Sequence, residues 1–537
     1  MTGWLHALAV ATFLAVWLAG LLDLRRRADL SAGRRVGWAA VMLLVPTLGA
    51  AVYVLSRPVP VDRRAPDVPM AHADVAVPAA PRGARAVQQL AGRAARGLFR
   101  SVEVVRPAGL PATGPQLWCA SHFGALSDPI VLLHALERPP RFLAGDFLWR
   151  VPLLRRALVA VRAIPVRRTQ DGGGASNRGM FAASIEALAE GDLVAIFPEG
   201  VATEGAQVAP LRTGAARIAL GAVDAGVVGV RVVPVGVHYQ DRAALRHRVF
   251  VDVGEPLDLD AWCRVRVAGQ RADAAGPSDG DRAEDRALVR ALTDDLDRRL
   301  REVAPQFADL EQAHALHAAA AVALGGGPAA PPGWGRRAEL AADLGRAPAE
   351  ARTAVVDAVV GYREALAAAG LSDAEVAARD GGARTHRHVV ATALLGLLLL
   401  PFALLGALLH APLALLVAAA GRLRVAPPTL ATILPVVALL GALLTWGLTA
   451  WWLSGHGLVV LGDAAGWLAR TLAVLQWLLV VPVWGWATLA VGERLASARR
   501  AQRTRRRLGR STTTAVLPAM REQRAEVVAR IEQAVRR

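Results

Sequence analysis

The chain has 537 residues, 54% of them hydrophobic, and a mean hydropathy of +0.35, which excludes a single soluble globule of this size and indicates membrane segments. All 62 basic residues are arginine, against 45 acidic ones, for a net charge of +17. The lack of lysine excludes Schiff-base and P-loop lysine chemistry, while the basic excess points to an anionic partner, a membrane surface rather than nucleic acid.

Residues 3–22 form an apolar run long enough to span a bilayer. A loop follows that carries Arg25, Arg26, Arg27, Arg34 and Arg35, and then a second apolar run at about 37–56. The first run leads into this arginine-rich turn and not into a small-residue cleavage site, so no cleavable signal is expected. Residues 58–85 are rich in Pro, Ala and Val and read as a linker. From 86 to about 264 short β-branched runs alternate with amphipathic stretches, the pattern of an α/β domain. Strands are expected at Gln116–Ala120, Leu193–Phe197, Val230–Val237 and Val249–Val253, and helices at about 130–137, 177–190 and 213–225.

Residues 265–386 carry Ala, Arg, Asp and Glu at helical spacing, with a Gly/Pro interruption near 325–335. They predict a helical extension that packs on the α/β domain, with Arg286–Val303 as its clearest amphipathic run. Residues 388–420 are almost uniformly apolar but contain Pro401, His410 and Pro412. One helix of that length would reach about 50 Å, so a broken or re-entrant hairpin is expected. Two further spans are expected at about 428–453 and 466–491, followed by a basic tail at 496–537. Trp446, Trp451 and Trp452 read as interfacial anchors. The tail lacks interleaved aromatics and abuts a span, so its expected partner is anionic headgroups.

The positive-inside rule places the tail and Arg422–Arg424 in the cytoplasm. Through a hairpin at 388–420, it places Arg384, Arg387 and the central domain there too. The basic loop of the N-terminal hairpin also prefers the cytoplasm, which would put the following domain outside. The two placements conflict, and an intracellular acyl donor requires the first.

The stretch most informative for chemistry is Leu117–Leu132, LWCASHFGALSDPIVL. A strand ends in Ser121-His122, and Asp128-Pro129 opens a helix. Neutral histidine, with an ordinary pKa of about 6.5, can take a proton from an attacking hydroxyl. A nearby carboxylate holds the imidazole in the right tautomer. Taken alone, such a pair also fits a surface turn with a helix cap. Blander expectations attach to Gly172–Gly174 as a surface loop, to His238 as a structural or pocket residue, and to His386 and His388 as interfacial. The two cysteines, Cys119 and Cys263, cannot form a disulfide framework, and no metal-ligand cluster is visible.

Further blocks follow the histidine: AIPVRR at 163–168, IFPEG at 196–200, PLRTGAARIAL at 210–220, VPVGV at 233–237 and RVFVDVGEPLD at 248–258. In order and spacing the set resembles the glycerolipid acyltransferases, which include 1-acylglycerol-3-phosphate and glycerol-3-phosphate acyltransferases. The resemblance covers about residues 115–260. It implies that His122 is the catalytic base and Asp128 its carboxylate partner. It implies that Arg168 contacts the acceptor phosphate, that Glu199 and Gly200 line the acceptor site, and that Arg212 also contacts phosphate. Five residues separate His122 from Asp128 where four are usual. That spacing resembles a subgroup with fungal-type glycerol-3-phosphate and dihydroxyacetone-phosphate acyltransferases. Val201-Ala202 stand where Thr-Arg is common. Separately, RRRADLSAGRRVGWAAVMLLVPTLGAAVYVLSRP resembles the N-terminal membrane hairpin of cardiolipin synthases, whose paired HxK motifs this lysine-free chain cannot have.

The expected whole is an α/β acyltransferase domain (86–264) with a helical extension (265–386), flanked by transmembrane helices at both ends (1–57 and 387–495). It would sit on the cytoplasmic face of the cell membrane. The resemblance implies acyl-CoA or acyl carrier protein as donor, glycerol-3-phosphate or lysophosphatidate as acceptor, membrane lipids as partners, no cofactor, no metal and no nucleic acid. The alternatives are another lyso-lipid acceptor and a non-catalytic lipid-binding scaffold.

Overall fold

The structure, a computed structural model, describes residues 32–44, 61–64, 81–167, 177–273, 281–325, 333–377, 382–454, 467–508 and 511–536, with isolated residues between 14 and 53. Its strands are β1 (Val61–Arg64), β2 (Ser101–Pro107), β3 (Gln116–Ala120), β4 (Arg141–Gly145), β5 (Ile164–Val166), β6 (Leu193–Ile196), β7 (Arg231–Tyr239), β8 (Arg248–Val253) and β9 (Leu257–Asp258). They form one mixed sheet in the order β1-β2-β8-β7-β3-β6-β4-β5, with β9 paired to β7. β1, although it lies in the stretch read as a linker, is parallel to β2.

Central strand β3 runs parallel to both its neighbours, β6 and β7. All five of its residues are buried, as expected for a parallel strand covered on both faces. Its side chains alternate between two cores. Trp118 and Ala120 face the helices Arg82–Leu98 and Ser127–Ala135, in a core with Ala91, Ala95 and Leu132. Leu117 and Cys119 face the helices Arg178–Ala189 and Gly214–Asp224, in a core with Leu188, Ile218 and Ala219. Burial pushes the Cys119 thiol up to about 12, so it stays protonated.

The helix Asp281–Val303 ties the extension to this sheet. Leu292, Leu296 and Leu300, spaced one helical turn apart, are at most 2% exposed. Each such side chain contributes about 1.5–3 kcal/mol by burial. The first two join the second core, whereas Leu300, Val303 and Ala304 pack against Phe123, beside His122. Gly236 of β7 permits this approach, because a Cβ there would overlap the Val303 carbonyl. A second tie is Glu103 of β2. Its carboxylate accepts from the amides of Trp334 and Gly335, at 3.0 and 2.8 Å, capping the helix Trp334–Arg346 where its dipole favours negative charge.

The extension helices Leu310–Leu324, Trp334–Arg346 and Ala349–Ala369 share a core with the helix Ser511–Arg536, through Leu316, Leu344, Val359, Met520, Val527 and Ile531. Arg524 pairs with Asp373 at 2.9 Å.

Residues Gly382–Ala420 form one continuous helix with Pro401 and Pro412 inside it, not the expected hairpin. Its membrane-length part, Leu399–Ala420, has 22 residues, about 33 Å at 1.5 Å per residue, enough for one crossing. The remainder extends beyond it, so Arg384 and Arg387 lie toward the opposite end of the helix from Arg422 and Arg424, and the placement that relied on a hairpin is lost. Two more helices of spanning length, Pro427–Ser454 and Ala473–Glu493, follow as expected. His410 joins the first two of these three helices. Trp446 Nε1 donates to its Nε2 at 3.0 Å, and its Nδ1 bonds the Gly406 carbonyl. Most of the N-terminal apolar runs lie outside the described residues. The helix Ala32–Leu44 is described, and Met42, Tyr53 and Leu24 form a small buried cluster.

Candidate active site

Because β6 and β7 are parallel to β3, the carboxyl ends of all three emerge at one edge of the sheet, where ligands of open α/β sheets bind. β3 delivers Ser121-His122, β6 delivers Phe197–Gly200, and β7 delivers Tyr239. His122 Nδ1 lies 2.7 Å from Asp128 Oδ2. With the Nδ1 proton on that bond, Nε2 is left free to accept a proton. The ring stacks on Phe197 with centroids 4.2 Å apart.

Asp128 is fully buried, so its charge needs partners. Besides His122, Oδ2 accepts from the Gly124 amide at 2.8 Å, and Oδ1 accepts from the Tyr239 hydroxyl at 2.6 Å. Burial, then the neighbouring Asp128, hold the Tyr239 hydroxyl well above its ordinary pKa, so it remains a donor. A Cβ on Gly124 would come within 2.5 Å of the Tyr239 ring and hydroxyl, which explains glycine at this point. The five-residue spacing is closed by a turn in which Ala125 takes φ 48°, a left-handed conformation costing roughly 1–2 kcal/mol. Asp128-Pro129 open the helix Ser127–Ala135, where proline loses no internal bond and an acid meets the positive dipole end.

Glu199 is a second buried carboxylate at this site. It accepts from the His122 amide at 2.7 Å, from Thr203 Oγ1 at 2.7 Å and from the Ala209 amide at 3.0 Å. It thereby fixes the backbone of His122 and the loop after the FPEG turn. Thr203, two positions beyond Val201, returns its amide to the His122 carbonyl at 2.7 Å. Gly200 has φ 76°, and a Cβ there would sit 2.8 Å from Arg212 Nε. The Arg212 side chain therefore lies against the turn that carries Glu199. Arg242 clamps the same loop by donating to the carbonyls of Thr203 and Gly205 at 3.0 and 2.9 Å.

His122, Asp128, Glu199, Gly200 and Arg212 thus come together at one sheet edge. Arg168, like Gly172–Gly174, lies outside the described residues. Tyr239 and Arg242 were missed from sequence. The available signal was that Tyr239 ends a strand flanking the one that delivers His122. His238 is structural, with Nε2 bonded to the Val303 carbonyl at 2.7 Å. Among the described residues no group of three or more His, Cys, Asp or Glu could hold a metal ion.

A family model described as Acyltransferase matches residues 101–238. Glycerol-3-phosphate O-acyltransferase 2 of Saccharomyces cerevisiae is 43% identical over 68 residues, 12% of this chain and 9% of that protein. Glycerol-3-phosphate O-acyltransferase 1 of the same yeast is 36% identical over 76 residues, 14% of this chain and 10% of that protein. The chain therefore matches about a tenth of the length of these curated relatives. The crystal structure of the 1-acyl-sn-glycerophosphate acyltransferase PlsC from Thermotoga maritima is 16% identical, with a TM-score of 0.28, over 56% of this chain and 97% of that one. The His122–Asp128 pair and the FPEG turn fall within the matched region, and residues 101–238 of the chain match an acyltransferase domain.

Proposed function

We propose that the chain transfers a fatty acyl group from acyl-CoA or acyl carrier protein to a hydroxyl of glycerol-3-phosphate or lysophosphatidate. The observation that carries this is the His122–Asp128 pair at 2.7 Å, with both Asp128 oxygens held by donors and the pair made through Nδ1, so that Nε2 is the basic nitrogen. Nε2 takes the acceptor's hydroxyl proton as its oxygen attacks the thioester carbonyl. The tetrahedral intermediate collapses, the C–S bond breaks, and the leaving thiolate recovers the proton from the imidazolium, which Asp128 stabilises. The thioester carries the activation, so the step uses no metal or nucleotide. Arg212, against Gly200, and Arg168 hold the acceptor phosphate, for which a guanidinium offers a bidentate fork. The two yeast relatives, both named as glycerol-3-phosphate acyltransferases, favour glycerol-3-phosphate as acceptor.

The catalytic domain is assigned to the cytoplasmic side. It packs on Ala431 and Leu434, a few residues past Arg422 and Arg424, and on Glu493, which borders the basic tail. Those are the ends that the positive-inside rule puts in the cytoplasm; the extension packs on the same domain and is placed on that side too, so in this arrangement Leu399–Ala420 does not make a full crossing.

The test is label transfer from radiolabelled palmitoyl-CoA in membranes containing the wild type or His122→Ala, with both acceptors offered in parallel. Loss of about 10²–10⁴-fold in the variant is expected for removal of a general base. If neither acceptor is labelled, with acyl carrier protein as alternative donor, the phosphate-acceptor assignment fails.

A further inference from the structure

The membrane helix Pro427–Ser454 contains Pro435. Proline has no N–H, so the carbonyl four residues earlier, that of Ala431, loses its donor within the helix. Ala431 and Leu434 are buried, and a buried carbonyl needs a partner. Ser127 supplies one, because its Oγ donates to the Ala431 oxygen at 3.1 Å. Ser127 is itself buried and immediately precedes Asp128 at the start of the short helix that delivers it. The seam around this bond is lined by Phe99, Gly124, Tyr239, Leu434 and Pro435. Gly124 and Tyr239 are the residues that hold the two Asp128 oxygens. The membrane helix therefore lies against Ser127 and against two of the residues that bond the Asp128 carboxylate, Gly124 and Tyr239.

We propose that Ser127 is a positioning residue. Through the carbonyl that Pro435 frees, it registers the Asp128 helix against the membrane helix, so that this transmembrane segment belongs to the catalytic assembly as well as anchoring it. The inference rests on the acyl-transfer reading above. A second attachment, Glu493 with Arg100 at 3.6 Å and with Arg246, joins the domain to the last span without touching the Asp128 helix, and provides the control.

The experiment uses the full chain in lipid nanodiscs and the labelled palmitoyl-CoA assay, with kcat and KM measured for donor and acceptor. Ser127→Ala is expected to lower kcat about tenfold with each KM held within about twofold, since misplacement of a catalytic group costs rate and not binding. Pro435→Ala, which restores an N–H that competes for the Ala431 carbonyl, is expected to act in the same direction. The double variant should be no slower than the slower single one, because one bond is lost. Glu493→Gln should keep the wild-type kcat. Wild-type kcat in Ser127→Ala, losses that multiply in the double variant, or an equal loss in Glu493→Gln would each overturn the proposal. If Ser127→Ala fails to fold, as judged by its melting curve, Pro435→Ala decides alone, and wild-type kcat there refutes the positioning role. Transfer that His122→Ala abolishes and Ser127→Ala spares sinks the positioning role only. A wild type with no His122-dependent transfer sinks both.

Discussion

Tyr239→Phe tests how the buried carboxylate of the site is held. The substitution removes one oxygen and keeps the ring that packs near Phe99 and His247. Asp128 Oδ1 then loses the hydroxyl donor it has at 2.6 Å, while Oδ2 keeps Gly124 and His122. A hydrogen bond to a charged group contributes about 1.5–3 kcal/mol. At 1.36 kcal/mol per decade, this corresponds to a kcat loss of roughly 10- to 100-fold if it is felt fully in the transition state. Tyr239 contacts Asp128 and not the proposed substrates, so each KM should hold. The high pKa of the phenol keeps it a donor throughout the neutral range, so the loss should not depend on pH there. Steady-state acyl transfer at saturating donor and acceptor measures it. A kcat equal to wild type would refute the claim that the hydroxyl sets Asp128.

Gly236→Ala should destabilise by overpacking, about 1–3 kcal/mol, because its Cβ overlaps the Val303 carbonyl and lies 2.9 Å from Ala304 Cα; an unchanged melting temperature would contradict the close approach. Glu103→Ala strips the amides of Trp334 and Gly335 of their acceptor and should cost about 0.5–2 kcal/mol as a lost helix cap, seen as faster amide exchange across 334–346. Burial, and then the charges of Arg96 and Arg337, push His134 down to about 4 and His317 down to about 3. Between those values and about 6.5 the unfolded chain binds more protons than the fold, so stability is complete above pH 6.5 and falls as pH drops, by on the order of 3 kcal/mol for His134 and about 5 kcal/mol for His317 once each folded-state value is passed. A melting temperature flat from pH 7 to 4.5 would be incompatible with both burials.

Part of the acyltransferase domain was legible: four of its nine described strands were expected, whereas β1, β2, β4, β5 and β9 and the helices Arg82–Leu98 and Pro152–Ala160 were not, RFLAG and IPV being too short or mixed to show a strand pattern. Gln116–Ala120 was placed to the residue, and Arg248–Val253 and the helix Gly214–Asp224 to within one or two. The His122–Asp128 pair was also legible, since both residues sit on one strand–turn–helix. What sequence could not give depends on strand order. Tyr239 meets Asp128 because β7 pairs with β3, a neighbour relation that spacing does not encode. Glu199 was assigned to the acceptor wall, but that its oxygens turn to His122 and Thr203 depends on the folded loop. The expected hairpin at 388–420 gave too much weight to proline. Pro401 and Pro412 remove two N–H groups, a loss that neighbouring helices and local adjustment accommodate inside a bundle.

The helix Ser511–Arg536 follows all three spans in sequence, yet its Met520, Val527 and Ile531 complete the core of helices that begin at Leu310. During synthesis, which proceeds from the N-terminus, that core remains open while about a hundred and fifty residues, including every C-terminal span, are made and inserted. The last part of the core is therefore supplied only after the three apolar helices have been made. The apolar faces of the extension thus stay unpaired until Ser511–Arg536 is made, and in that interval they are the surface most open to aggregation.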